Sequence, residues 1–299
     1  MKSVGMQYLE AVRKLKLEKK TFPRTIHVTF VPDEENDGPW GMRCFVKHRE
    51  FKDMNVGFAL DEGIASPTQV FNVFYDERSP FSVEICCRGN PGHGSKFIVD
   101  SAPVKFTKVL HEINAFRKAE MKKLEYNAGV TEGDLTTVNV TMVKGGDMFN
   151  VVPPVMSLTC DVRIPPGTTQ KDVEAMAAKW CEAGGSSVEY MVINRGVVTK
   201  PAEDHSQVAG LTLIDESNPW WKAFYSACEN SHIEIKRGIF PASTDSTFLR
   251  HMGIPALGFS PMNDTPILLH SHNECLHEDV FLKGIDIYKN IISSLAMLH

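Results

Sequence analysis

The stretch TIHVTFVPDEE, residues 25–35, joins a β-branched apolar run to two adjacent carboxylates. Residues 25–31 predict a buried strand that ends at Pro32. Glu34 and Glu35 follow directly, and neighbouring side chains at a strand end point in different directions. One carboxylate can therefore bind a metal ion while the other activates a water molecule. The alternative is a solvated acidic turn, which these few residues alone favour because exposed acids are the rule.

A second apolar run, VGFAL at residues 56–60, has the same organisation. It predicts a short strand, again followed by acids, Asp61 and Glu62. Residues 40–46 predict a short helix between the two strands. The order strand, helix, strand is typical of an open α/β sheet, in which sites gather at the carboxyl ends of the strands.

The pattern changes in the middle of the chain and then returns. Residues 76–197 predict strands and helices in the order βαββαβ, which is the ferredoxin-like arrangement. We therefore divide the chain into an α/β domain formed by residues 1–75 and 198–299, and an α+β domain, residues 76–197, inserted into it.

A third polar cluster, HSHNE, occupies residues 270–274 after the apolar run ILL. Imidazole and carboxylate are ligands that a zinc-like divalent ion accepts. The alternative is a polar loop before a helix. Three such clusters, each at the end of an apolar run, together favour a carboxylate and histidine metal site over chance.

His93 stands in the glycine-rich stretch GNPGHGS, residues 89–95. A histidine among glycines is more often a turn residue than a catalyst. With Gly145, Gly146 and Asn150 it could instead form a polar face that binds a ligand.

Composition excludes several other classes of protein. The formal net charge of -5 comes without a basic stripe, so nucleic acid is not the expected partner. No apolar run is long enough to cross a membrane, and the charged N-terminal stretch is not a secretory signal. The seven cysteines lack CxxC spacing and predict reduced thiols, so we expect a cytoplasmic location.

The order of these motifs resembles the aminoacylase branch of the co-catalytic zinc metallopeptidases, which also includes glutamate carboxypeptidase and related dipeptidases. The resemblance runs over essentially the whole chain. It is carried by PDEE (32–35), LDEG (60–63), PGHGS (91–95), NVVP (150–153), DVR (161–163), GFSPM (258–262) and LHSHNE (269–274).

This resemblance implies a zinc-exopeptidase-like catalytic domain and hydrolysis of N-acyl-L-amino acids, with two zinc ions in the full-length subunit. Glu34 would be the general base. Glu35 and His270 would bind one zinc ion, and Glu62 the other.

The resemblance also implies that the inserted domain is a lid that forms a homodimer. His93 would then reach the partner subunit's active site and hold the carbonyl oxygen of the substrate. Asn150 and Arg163 would contact the amide and the carboxylate of the substrate.

The chain departs from the pattern of the family in three places. An NDGP turn follows Glu35, and Thr247 stands where an arginine is common. Met1 and Lys2 match a dipeptide that follows a metal-bridging aspartate, so we expect an N-terminally truncated catalytic domain with three of five ligands. Two alternatives to an aminoacylase remain, a related zinc dipeptidase or carboxypeptidase, and a catalytically inactive dimerising fragment.

Overall fold

The computed structural model describes residues 2–36, 38–194 and 212–299. Within them the chain forms two compact units. Unit 1 comprises the described residues of Met1–Glu77, Ala209–Phe240 and Thr244–His299, and unit 2 those of Arg78–Val208 and Pro241–Ser243. The predicted boundary at 197/198 lies outside the described residues.

Unit 1 contains a four-stranded mixed sheet with helices around it. Its helices are α1 (Lys2–Leu17), α2 (Met42–Phe45), α3 (Arg49–Asp53), α6 (Pro219–Asn230), α7 (Ser246–His251) and α8 (Glu278–Ala296), with a 3-10 turn at Glu34–Asn36. Its strands are β1 (Ala59–Asp61), β2 (Phe71–Glu77), β9 (Ile235–Phe240) and β10 (Ala256–Phe259). The strand order is β1-β10-β2-β9, and only the β10–β2 pair is antiparallel.

The core of unit 1 lies between this sheet and the helices α1, α6 and α8. Its largest fully buried side chains include Tyr288, Phe224 and Phe259. Asn218 caps α6 by accepting a hydrogen bond from the backbone nitrogen of Trp220 at 3.0 Å. Tyr8 on α1 packs against Tyr288 on α8 with ring centroids 4.4 Å apart. The first helix therefore packs in the core of unit 1.

The prediction of a buried strand at residues 25–31 is wrong. These residues pair with no strand of the described chain, and Phe30 is 67% exposed. β-Branched side chains favour extended backbone, but a strand also needs a partner for its peptide groups. The predicted strand at 56–60 begins later, because only Ala59, Leu60 and Asp61 pair with β10.

Unit 2 has the predicted βαββαβ order. It comprises β3 (Ser79–Arg88), α4 (Ala102–Tyr126), β5 (Thr137–Lys144), β7 (Val155–Ile164), α5 (Gln170–Gly184) and β8 (Val188–Asn194), with a 3-10 turn at Glu132–Asp134. The sheet is antiparallel in the order β5-β7-β3-β8, and α4 and α5 pack against it. A separate two-stranded ribbon pairs β4 (Gly92–His93) with β6 (Val151–Val152).

None of the helices in the described part of the chain combines the length and apolarity needed to cross a bilayer.

Candidate functional site

A tight turn presents Glu34 and Glu35. Asp33 adopts a left-handed conformation with φ of 57°, and its carbonyl accepts hydrogen bonds from Asn36 and Gly38 at 3.0 Å. Its carboxylate accepts another from the backbone nitrogen of Trp40 at 2.9 Å. These bonds close the chain into the 3-10 turn that carries both glutamates.

His270 lies against this turn although it is remote in sequence. Its Nε2 is 3.1 Å from Oε2 of Glu35, and both side chains are largely exposed. His270 also has a left-handed backbone, with φ of 56°. Ser271 donates to the carbonyl of Leu268 at 3.0 Å, which bends the loop at this point. An imidazole and a carboxylate are therefore held side by side and accessible.

Glu62 follows β1 and lies in the electrostatic field of the same acids. Burial, then the neighbouring charges of Asp61, Glu34 and Glu35, raise its pKa to about 8. Two of the predicted clusters, PDEE and LDEG, thus act on each other in the folded chain. Without a cation, Glu62 is largely protonated near neutral pH.

The chemistry of these donors suits a zinc-like divalent cation, but their arrangement supplies few ligands. Glu35 and His270 make one contact pair, and the excess of carboxylates around Glu62 is what a cation would neutralise. Among residues 2–36, 38–194 and 212–299, however, no three His, Cys, Asp or Glu side chains are grouped closely enough to hold a metal ion. A zinc ion needs about three protein ligands. The described residues therefore provide part of a zinc site.

Sequence reasoning missed several buried polar residues behind Glu62. Ser246 donates to Oδ2 of Asp61 at 2.8 Å, and Arg250 donates to Oε1 of Glu77 at 2.8 Å. Burial, and then Asp61 and Glu34, raise the pKa of Asp245 to about 7. A signal was present, because FNVFYDE (71–77) is another apolar run that ends in acids.

In unit 2 the ribbon formed by β4 and β6 brings His93 and Asn150 close to each other. His93 pairs with Val151, and Gly94 donates to the carbonyl of Asn150 at 2.8 Å. The Nδ1 of His93 is 2.8 Å from the hydroxyl of Ser95. The side-chain oxygen of Asn150 is buried without a hydrogen-bond partner, which an incoming donor would satisfy.

Arg163 lies on β7 with its guanidinium already engaged. Its Nε donates to Oδ1 of Asp161 at 2.8 Å, and its second contact, with Oδ2, is 3.3 Å long. A substrate carboxylate would have to compete with Asp161 or use the remaining N–H groups.

A cavity of about 580 Å³ opens in unit 1 next to the start of LDEG. Leu60 and Asp61 line it, together with residues 23–30, while Glu34, Glu35, Glu62 and His270 do not. The cavity and the acidic cluster are therefore neighbouring but separate features of unit 1.

Comparison with known proteins identifies the class to which this fold and these motifs belong. Residues 1–294 match peptidase family M20/M25/M40, and the chain belongs to that family. Aminoacylase-1 from Mus musculus is 50% identical over 296 residues, which cover 99% of this chain and 70% of that protein. Aminoacylase-1 from Homo sapiens is 48% identical with the same coverage of both chains.

A solved structure shows the same mixed α/β fold. The M20 family metallo-carboxypeptidase Sso-CP2 from Sulfolobus solfataricus aligns with a TM-score of 0.67 over 99% of this chain and 76% of its own. At 14% identity this likeness concerns the fold alone. The resemblance inferred from the ordered motifs is thus confirmed for the family, and the relatives named aminoacylase-1 agree with the predicted branch.

Proposed function

We propose that this protein is a metal-dependent amidohydrolase that cleaves N-acyl-L-amino acids into a carboxylate and a free L-amino acid. The observation that carries the proposal is the contact between Glu35 and His270, with Glu34 on the same turn and Glu62 in the electrostatic field of both glutamates. This arrangement stands in a chain that is 48–50% identical to aminoacylase-1 proteins.

In this proposal Glu34 is the general base. Glu34 stands on the same 3-10 turn as Glu35, whose carboxylate contacts His270, so it would transfer a proton beside the ligands instead of binding the metal. Glu34 would take the proton of the attacking water and deliver it to the leaving nitrogen, because an amide expels its amine only after protonation.

Glu35 and His270 would hold one zinc ion, and Glu62 would contribute to a second. When bound, a pair of zinc ions polarises the scissile carbonyl and lowers the pKa of water.

Unit 2, which corresponds to the predicted domain 76–197, is proposed as the lid and dimerisation domain. His93 would stabilise the oxyanion of a partner subunit's substrate, while Asn150 would accept from the substrate amide. The support is local: the unpartnered oxygen of Asn150, and the fully exposed rings of Phe97 and Phe149 near the ribbon of β4 and β6.

Arg163 is proposed to bind the α-carboxylate of the substrate, because a guanidinium offers a carboxylate two parallel hydrogen bonds. A cytoplasmic location is proposed from the composition, with seven cysteines that are all free in the structure.

The test compares two substrates that share one leaving amino acid. The 299-residue chain is incubated with Zn²⁺ and either N-acetyl-L-methionine or glycyl-L-methionine, and released methionine is quantified. We expect release from the N-acetyl substrate at least about tenfold faster than from the dipeptide, abolished by chelation and by Glu34→Gln. A matched exposed variant, Glu50→Gln, should behave as wild type.

Other outcomes contradict the proposal. Faster cleavage of the dipeptide would indicate a peptidase of the same family. Cleavage of neither substrate would indicate the inactive dimerising fragment. Full activity of Glu34→Gln would show that another group is the base.

A further inference from the structure

The carboxylate of Asp61 connects Glu62 to the interior of unit 1. Its Oδ1 accepts a hydrogen bond from the backbone nitrogen of Glu62 at 2.9 Å, and its Oδ2 accepts one from the hydroxyl of Ser246 at 2.8 Å. Ser246 is fully buried. A side chain that is itself anchored in the interior therefore holds the backbone of Glu62.

The neighbouring strand β10 holds the same segment from the other side. Asp61 pairs with Gly258, and a Cβ added to Gly258 would lie 2.6 Å from the carbonyl oxygen of Glu62. The next residue, Gly63, donates its N–H to the hydroxyl of Ser260 at 2.9 Å. Only a glycine at position 258 allows this approach, so the position of Glu62 along the sheet edge is closely defined.

Behind Ser246 stands the buried carboxylate of Glu77, at the end of β2. It accepts from the backbone nitrogen of Thr244 at 2.6 Å, from Arg250 at 2.8 Å and from the hydroxyl of Thr247. The backbone nitrogen of Ser246 in turn donates to the hydroxyl of Thr244 at 3.2 Å. The hydroxyl of Thr244 also donates to Glu77, at 3.1 Å. Four donors on residues 244–250 thus converge on the carboxylate of Glu77.

We propose that Asp61 and Ser246 are positioning residues for Glu62, and that Glu77 sets the position of Ser246. This inference rests on the proposed function, in which Glu62 binds metal, and adds residues that contact neither metal nor substrate. A metal-binding carboxylate needs a fixed orientation, which hydrogen bonds from residues behind it supply. The path from Glu77 through Thr244 and Ser246 to Asp61 is continuous, with every hydrogen bond no longer than 3.2 Å.

The same network includes residue 247, where this sequence departs from the pattern of the resembled family. Thr247 stands where an arginine is common in the resembled family, and here its hydroxyl donates to Glu77. Residue 247 of this chain thus belongs to the network behind Ser246.

The experiment uses the full chain and measures two properties of each variant. Amide hydrogen exchange at Glu62 reports whether its backbone is held, and a Co²⁺ titration followed by d–d absorption reports ligand geometry. The variants are Ser246→Ala, Asp61→Ala and Asp61→Asn. Ser66→Ala is the matched control, because Ser66 is a buried hydroxyl of unit 1 that contacts Thr68 instead.

We expect Ser246→Ala and Asp61→Ala to accelerate exchange at Glu62 about tenfold or more, and to weaken Co²⁺ binding by about 10–100-fold. Asp61→Asn retains an oxygen that can accept from Glu62, so it should restore most of the exchange protection lost in Asp61→Ala. Ser66→Ala should change neither property.

Unchanged exchange at Glu62 in both alanine variants would overturn the proposal. So would faster exchange with unchanged Co²⁺ affinity, since the network would then support the fold alone. Absence of Co²⁺ binding by wild type would instead refute the metal centre of the proposed function. In that case exchange alone decides whether Asp61 and Ser246 hold Glu62.

Discussion

The ion pair between Arg250 and Glu77 allows a quantitative test of how unit 1 is held together. Arg250 is 3% exposed and Glu77 7% exposed. The guanidinium donates to Oε1 of Glu77 at 2.8 Å and to the carbonyl of Ala256 at 3.0 Å. Burial raises the pKa of Glu77, while Arg250 opposes this rise. The arginine is thus the main cationic compensation for a carboxylate that has little contact with water.

Arg250→Met keeps much of the side-chain volume and removes the charge and both hydrogen bonds. Removing one partner of a buried pair typically costs about 3–5 kcal/mol, because the other charge stays buried and unpaired. For a folding unit of this size, that loss lowers Tm by about 6–20 °C. Urea denaturation followed by circular dichroism gives the free energy of unfolding, provided that the two units unfold in separate transitions.

The cause of the loss is tested by the double variant Glu77→Gln/Arg250→Met. A neutral glutamine can still accept from Thr244, so the double variant should be more stable than the sum of the two single losses predicts. Arg13→Ala, which removes a solvent-exposed pair with Glu10, serves as the control and should leave the stability unchanged within error. A loss below about 1 kcal/mol for Arg250→Met, or additive losses in the double variant, would refute this reasoning.

Three further predictions concern the candidate site. If His93 acts in the active site of a partner subunit, His93→Ala and Glu34→Gln proteins should each be inactive alone. Mixed dimers of the two should recover part of the activity, because one hybrid site keeps both groups. Confirmed heterodimers without recovery would place His93 elsewhere. The metal-free chain should lose stability as pH rises from about 4.5 to about 8, because the raised pKa of Glu62 means that the folded state binds more protons than the unfolded state in this window. Asp245, whose pKa is raised to about 7, contributes to the same slope. Glu62→Gln should therefore reduce the slope of unfolding free energy against pH without abolishing it, and an unchanged slope would contradict the assignment. Because Glu35 and His270 would supply two ligands to one ion and Glu62 one ligand to the other, zinc should bind weakly enough to leave the chain on dialysis against buffer, and retention of two ions per chain by elemental analysis would contradict this.

The sequence predicted helices and strands correctly where the spacing of apolar residues within a short stretch determines the element. Unit 2 has the predicted order βαββαβ, because the apolar spacing of each helix and strand is a local signal, and the structure shows a similarly local cap of α5 by Thr169 and Asp172. The same reasoning was wrong for residues 25–31, whose composition is that of a strand. Whether that segment becomes a strand depends on a partner for its peptide groups, and composition carries no information about the partner.

The candidate site shows the same division between local and non-local information. The clusters containing Glu35 and His270 were recognisable as polar ends of apolar runs, but their contact joins residues 235 positions apart. Glu77 and Arg250 were not selected, although Glu77 also follows an apolar run. Their roles come from four donors that converge only in the folded chain, and no spacing in the sequence expresses that convergence.

Asp33 and His270, in the turn and the loop that carry candidate ligands, share an unusual backbone conformation. Both have left-handed φ values, 57° and 56°, which cost free energy for any residue with a Cβ. At Asp33 the side chain compensates part of that cost by accepting from Trp40. The side chain of His270 makes an exposed contact with Glu35, whereas a glycine would adopt the backbone of this loop at less cost. What histidine adds at that position is an imidazole 3.1 Å from a carboxylate, which in the proposed function would bind a cation.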